Sequence, residues 1–231
     1  MQREECRQEW LDGPLPRRDR DAAVDDIERL GAWFGGYALT IRAVRRLLHG
    51  VSAEGRVGIV VDVGGGQGGL ARRLVRAMRR RGDGVRVVLL DRDLEGLALA
   101  GDACRAWPEI WRVCADATAL PFRDEGVDVT TSSLVLHHLS PDAAVANLTA
   151  MRAAAHLGVV VNDLLRTRLV WLFVVVGTWL LARRVSRHDG PLSVRRAYAA
   201  DELRVFGEKA GWPHMTIRRW RLFGRVLMTA P

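Results

Sequence analysis

Eleven residues, Val60 to Leu70 (VVDVGGGQGGL), constrain this chain more than any others. A β-branched run ends in five glycines within six positions and passes into a helical pattern, so it predicts strand, tight turn and helix. That arrangement presents backbone N–H groups at the tip of a sheet, where a ligand can approach the main chain closely. Asp62, Gly64, Gly66 and Gly68 alternate as D-x-G-x-G-x-G. Gly64, Gly66 and Gly69 also satisfy the G-x-G-x-x-G spacing of dinucleotide sites, so the glycines alone leave that reading open. Asp62 argues against it, because a carboxylate at the strand end repels a pyrophosphate and attracts a cationic group.

The chain is 231 residues long, enough for one α/β domain with a full core. From Asp25 to Leu48, the residues Ile27, Leu30, Phe34, Leu39, Ile41, Val44 and Leu48 recur at helical intervals, with Gly35-Gly36 as a point of division. Gly58 to Val63 reads as a strand buried on both faces. The second to fifth strands fall at Val85 to Leu90, Trp111 to Cys114, Val127 to Thr131 and Leu157 to Val161. Helices are predicted at Leu70 to Arg81, Leu94 to Arg105 and Asp142 to Ala154. This succession predicts a doubly wound parallel sheet. Beyond a loop at Ser186 to Ser193 and a helix at Ala199 to Ala210, the runs Met215 to Arg221 and Arg225 to Thr229 flank Gly224. A connection that short pairs them antiparallel. Residues 1–20 are expected to form a flexible leader and 21–231 a single domain, with 21–50 and 164–198 as a helical cap on the substrate side.

A formal charge of +8 invites a nucleic-acid partner. The arginines are spread along the chain, however, often beside acids, and Arg72, Arg73, Arg76, Arg79, Arg80 and Arg81 recur as the solvated face of a helix. With no appended basic or zinc-bearing module, the pattern argues against nucleic acid. Cys6, Cys104 and Cys114 are odd in number and lack metal-ligand spacing, so a reducing cytoplasm and no metal are expected. The N-terminal stretch carries acids from the start, unlike a secretory signal. Leu169 to Ala182 (LVWLFVVVGTWLLA) has 14 uncharged residues between flanking arginines. A spanning helix needs roughly 20, so a core or lid helix is expected, with a surface-lying membrane or partner contact as the alternative.

Further acids stand at strand ends. Asp91 closes the second strand 23 positions after Gly68, where a carboxylate accepts hydrogen bonds from ribose hydroxyls. Asp116, with the N–H of Ala117, can read an adenine edge, although a helix cap is its plainer role. Asp62 to Gly68, Asp91, Asp116 with Leu120-Pro121-Phe122, and VDVTTSSLVLHHL from Val127 to Leu139 together resemble the class I S-adenosylmethionine-dependent methyltransferases, over about residues 57 to 161. The resemblance implies a Rossmann-like seven-stranded sheet with its last strand inserted antiparallel, S-adenosyl-L-methionine as cofactor and S-adenosyl-L-homocysteine as product. It places Gly64, Gly66 and Gly68 along the methionine part, with Gly65 in the same loop, and Asp91 at the ribose beside Arg92. Asp116 and Ala117 fall at the adenine, and Ser132, Ser133 and Leu134 border the sulfonium. The chain departs from the pattern at His156-Leu157-Gly158, where relatives carry a Pro-Gly-Gly turn. VVVNDLLRTRLVWL and SRHDGPLSVRRAY (Ser186 to Tyr198) resemble small bacterial methyltransferases of polyketide and aromatic secondary metabolism, which implies O-methylation of a phenolic acceptor.

A hydroxyl acceptor must lose a proton, a task suited to histidine. His137 and His138 follow the fourth strand, with His138 preferred as base and structural packing as the plainer reading of the pair. His188 has Asp189 beside it and competes with an ordinary turn role. Asp163, ending the fifth strand, can orient a base or the acceptor, and Asn162 can hydrogen-bond it. Three alternatives stand beside an O-methyltransferase. One is a C-methyltransferase for a quinone or lipid-like acceptor, and another an RNA methyltransferase, which the Ser132-Ser133-Leu134-Val135 segment disfavours. The third is a cofactor-binding partner protein without turnover. The assembly is expected to be a monomer or homodimer acting on a small apolar or aromatic molecule.

Overall fold

The computed structural model describes residues 1–33 and 35–231; Phe34, counted above in the first helix, lies outside the described residues. Seven strands form one sheet: β1 (Gly58–Val63), β2 (Val85–Asp91), β3 (Ile110–Cys114), β4 (Val127–Ser133), β5 (Ala155–Leu164), β6 (Thr216–Trp220) and β7 (Arg225–Ala230). Their spatial order is β3-β2-β1-β4-β5-β7-β6. The first five run parallel, and β7 enters antiparallel between β5 and β6, as the resemblance implied. Nine helices are described: α1 (Arg17–Trp33), α2 (Gly36–Leu47), α3 (His49–Ala53), α4 (Gly69–Arg79), α5 (Leu94–Ala103), α6 (Pro141–Ala154), α7 (Arg168–Leu181), α8 (Arg184–Arg196) and α9 (Ala200–Lys209).

Alternation along the strands divides the core into two layers. Val61, Val63, Leu90, Val161 and Met228 face α6 and α9. Val60, Leu89, Val129, Val160 and Leu227 face α2, α4 and α5. Helix α4 follows from its sequence, since Leu70, Leu74, Val75 and Met78 recur on its buried side. Its arginines are less solvated than the periodicity suggests. Arg72 and Arg73 pair with Glu28 of α1, and Arg76 and Arg79 lie over Trp107. Cys6, Cys104 and Cys114 are free thiols, and no described helix is long and apolar enough to cross a membrane.

Three expectations change. Residues 1–20 do not stand off as a leader: Trp10 and Leu11 donate their backbone N–H groups to Asp189, the Glu4 N–H reaches Arg195 O, and α1 already begins at Arg17. The segment Ser186 to Ser193, expected as a loop on the strength of Gly190-Pro191, is the interior of α8. A proline inside a helix costs about 3 kcal/mol. Burial of Val185, Leu192 and Val194, at roughly 1.5–3 kcal/mol each, outweighs it, and glycine at 190 lets Thr178 and Val174 of α7 pack close. Helix α2, assigned to the cap, lies under the sheet instead, its Gly36 carbonyl and Thr40 Oγ1 receiving the Asn162 side-chain amide. Asn162 is therefore turned away from any acceptor.

Candidate functional site

A cavity of about 1230 Å³ opens at the C-terminal ends of the parallel strands. Its floor is the glycine loop. Gly64 has φ +70°, and a Cβ there would strike the Val135 side chain; Gly66 has φ +50°, and a Cβ there would project into open space. The Gly64 and Gly65 N–H groups bond to Leu90 O, and the Gly66 N–H donates to Asp91 Oδ2 at 3.0 Å. Asp91 Oδ1 takes the Asp93 N–H, also at 3.0 Å. Asp91 thus braces the loop and keeps acceptor capacity on both oxygens. Asp62 lies beneath the loop, 3% exposed, and burial, reinforced by the charge of Asp91, pushes its carboxyl up to about 7.

Other expected residues divide between the cavity and its support. Gly65, Arg92, Asp116, Ala117, Ser133 and Leu134 line the cavity. Asp116 also takes the cap-like role, with Oδ1 accepting both the N–H and the hydroxyl of Thr118, which hold its carboxyl below the usual range. Leu134 adopts φ +62°, an uncommon left-handed conformation, and turns the chain sharply after β4 while its N–H bonds Asn162 O. Gly68 and Ser132 stand outside the lining. A Cβ on Gly68 would meet Leu89 and Cys104, so this glycine serves helix–sheet packing, while Ser132 is buried within β4.

The roof comes from α1, α7 and the β6–β7 hairpin. Arg20 of α1 reaches Asp93 at 3.2 Å. Asp26, fully buried, accepts the Arg183 N–H at 2.6 Å and pairs with Arg29, joining α1 to the start of α8. Helix α7 lends Val170, Phe173, Val174 and Gly177 to the lining. It is not a core helix, however, for Phe173 is 65% exposed and Trp179 67% exposed. From the hairpin, buried Arg225 reaches the cavity with Nη1 unpartnered, and burial pulls its guanidinium below the usual arginine range.

Between floor and roof stand the histidines, in a 3₁₀ turn at Leu136–His138. His137 is buried, its Nδ1 2.7 Å from Asp163 Oδ1, and Asp163 Oδ2 accepts the His137 N–H at 3.2 Å. Burial acts to raise Asp163, but the charge and hydrogen bond of His137 and the Leu164 N–H outweigh it and hold the carboxyl low. Asp163 does not line the cavity; it positions His137. His138 is more open, with Nδ1 3.0 Å from Asp12 Oδ2. His188 lies elsewhere. It stacks on Trp10 with ring centroids 4.0 Å apart, its Nδ1 2.7 Å from Asp189, and it is outside the lining. Sequence reasoning missed Glu9, Asp12, Arg20 and Arg225. Glu9 and Asp12 lie in a charged stretch without periodicity, and only the fold brings them to the histidines.

Residues 60–157 match the profile of a methyltransferase domain. That span covers the glycine loop, Asp91, Asp116 and the histidine turn. Over that stretch, less than half of the 231 residues, the chain is similar to a methyltransferase domain. No curated protein matches it in sequence. Among solved structures, human N-acetylserotonin methyltransferase in complex with S-adenosylmethionine is 14% identical with a TM-score of 0.61, over 97% of this chain and 62% of that one. The DszA carbon methyltransferase is 13% identical with a TM-score of 0.63, over 84% of this chain and 53% of that one. An S-adenosylmethionine-dependent methyltransferase from Aquifex aeolicus is 18% identical with a TM-score of 0.56, over 80% and 91%. The chain thus spans about half to two thirds of the first two, and the likeness is one of fold.

Proposed function

We propose that this chain is a class I S-adenosylmethionine-dependent methyltransferase that acts on the hydroxyl of a small, largely apolar acceptor of phenolic or polyketide type. The observation that carries the reading is the cavity itself. It is larger than the roughly 300–1,000 Å³ of a typical single-ligand pocket, and it runs from the glycine loop to a histidine pair under the apolar underside of α7. The open space beside Gly66 and the spare acceptor capacity of Asp91 fit S-adenosylmethionine, which supplies an activated methyl group on a sulfonium. Asp62 meets the ammonium of its amino-acid end, and the free Nη1 of Arg225 suits the carboxylate. Ser133 and Leu134 border the reacting centre, and α7 confines the acceptor beside it, where orientation supplies much of the acceleration.

Proton removal falls to Nε2 of His138, the more exposed side chain of the pair, with Asp12 on Nδ1 fixing the tautomer. Asp163 does the same for His137. His188, stacked on Trp10, fits a structural role that holds residues 9–12 in place. A second reading, transfer to carbon on a quinone or lipid-like acceptor, draws support from the exposed outer face of α7, which suits contact with a membrane surface.

The experiment titrates the protein with S-adenosylhomocysteine, with NADH as control, and then screens phenolic acceptors for a 14-dalton mass gain (about one CH₂, the unit of apolar transfer). His138→Gln should lower kcat by about 10²–10⁴-fold with cofactor affinity retained. Unchanged turnover in that variant removes His138 as the base, and a methylated carbon in the product moves the reading to C-transfer.

A further inference from the structure

The two histidines and Glu9 form a cluster whose design exceeds what a single general base requires. His137 Nε2 lies 3.8 Å from Glu9 Oε1, and His138 Nε2 lies 4.0 Å from Glu9 Oε2. The three ligand atoms fall within 4.8 Å of one another. Each imidazole has a carboxylate on its other nitrogen, Asp163 behind His137 and Asp12 behind His138. This is the outer-shell arrangement that fixes metal-ligating histidines and raises their basicity. Glu9 is 6% exposed, and its Oε1 has no hydrogen-bond partner.

We propose that Glu9, His137 and His138 bind a divalent transition-metal ion, zinc foremost, with an open coordination position facing the cavity. Two imidazoles and one carboxylate are the donor set of open, catalytic zinc sites. Tetrahedral bonds of about 2.0–2.1 Å put neighbouring ligand atoms about 3.3 Å apart, so separations within 4.8 Å need to close by about 1.5 Å at most. Charge points the same way. Glu9, Asp12 and Asp163 bring three carboxylates to the cluster, with Asp189 beyond Glu9. Arg196 is the cation facing them. Its Nε is 4.0 Å from Glu9 Oε1, beyond hydrogen-bond reach, and its donors serve the carbonyls of His137, His138 and Arg7. Carboxylates thus outnumber the guanidinium at the cluster, an excess that suits a cation. Ser193, also packed against Glu9, is uncharged.

All three ligands line the cavity, so the open position points at the space assigned to the acceptor. With the ion bound, His138 Nε2 would serve as a ligand in place of its role as base, and an acceptor hydroxyl on the open position would release its proton to water at lower pH, as metal-bound water does. That consequence rests on the methyl-transfer reading; ion binding does not.

The test uses tag-free, chelator-stripped protein, dialysed against zinc without any acceptor. One zinc per chain is expected. Glu9→Gln should weaken binding by at least about 100-fold and Asp12→Asn by about 10–100-fold. Titration with S-adenosylhomocysteine should be unchanged in both variants, which keeps a folding defect distinguishable. Cobalt(II) should give a visible absorption band that Glu9→Gln abolishes. Absence of stoichiometric zinc, or zinc retained equally by both variants (as adventitious binding at exposed Cys6 or Cys114 would give), overturns the site. Methyl transfer without zinc binding overturns the site alone, and zinc binding without methyl transfer overturns only the proposed function.

Discussion

The floor and the roof of the cavity hold their shapes by different means. On the floor, the glycine loop is fixed by main-chain geometry and by partners nearby in the chain, Leu90 and Asp91, on the adjacent strand. On the roof, carboxylates join segments far apart in the chain: buried Asp189 to Trp10 and Leu11, buried Asp26 to Arg183, and exposed Asp12 to His138. A floor made of backbone admits little change, because Gly64, Gly66 and Gly68 hold positive φ that other residues rarely adopt. A roof made of charged contacts and apolar side chains can be altered piecemeal. The first suits a constant ligand and the second suits selection among acceptors.

The sharpest way to break this contrast is Gly64→Ala. Left-handed strain costs about 1–3 kcal/mol, and the new Cβ strikes Val135. Affinity for S-adenosylhomocysteine should fall by about 100-fold or more in calorimetry; near-native affinity would show that the floor yields as readily as the roof. Asp189→Ala tests the other side. Losing two backbone donors to a buried carboxylate should cost about 1.5–3 kcal/mol and lower Tm by about 3–10 °C, with cofactor affinity retained. A loss of cofactor affinity matching the loss of stability would merge the two regions into one.

The smallest effect is a pH dependence. Asp62 titrates near 7 when buried, against 3.8 unperturbed. Its ionised form is disfavoured in the folded chain, so its contribution to stability falls as pH rises from about 4 to about 7. Cofactor binding has the opposite sign, since the cationic ammonium requires the ionised carboxylate. Affinity should rise with pH up to about 7, by at most about tenfold per unit, and then level off. Asp62→Asn should flatten the profile, and an unchanged profile would remove Asp62 as the ammonium's partner.

The same contrast governs how much was legible in the sequence. Val60 to Leu70 encodes strand, turn and helix within one short stretch, and Asp91 and Asp116 follow at strand ends, so the floor could be read directly. Gly68, expected beside the ligand, lies outside the cavity lining, and spacing alone does not distinguish a glycine that opens on a cavity from one that admits Leu89 and Cys104. The roof resisted reading. Glu9 and Asp12 carry no periodicity, and their partners lie more than 120 positions away. Gly190-Pro191 signals a turn locally, and only packing against α7 makes it helix. The apolar run of α7 was recognised, but not that several of its largest side chains face outward.

The placement of β7 has a consequence for the order in which the protein comes into being. Strand β7 is made after β6 yet lies between it and β5. While the polypeptide is being synthesised, five parallel strands can assemble, but β6 has no neighbour until Arg225 onward has emerged. The outer rim of β5, carrying Val159, Val160 and Val161, stays bare in the meantime. Such a rim is adhesive to other chains, and a long-range antiparallel pairing is slow to form. The vulnerable interval in this molecule's production therefore lies between the completion of β5 and the arrival of β7, and the six residues of β7 end it by filling a slot inside the sheet.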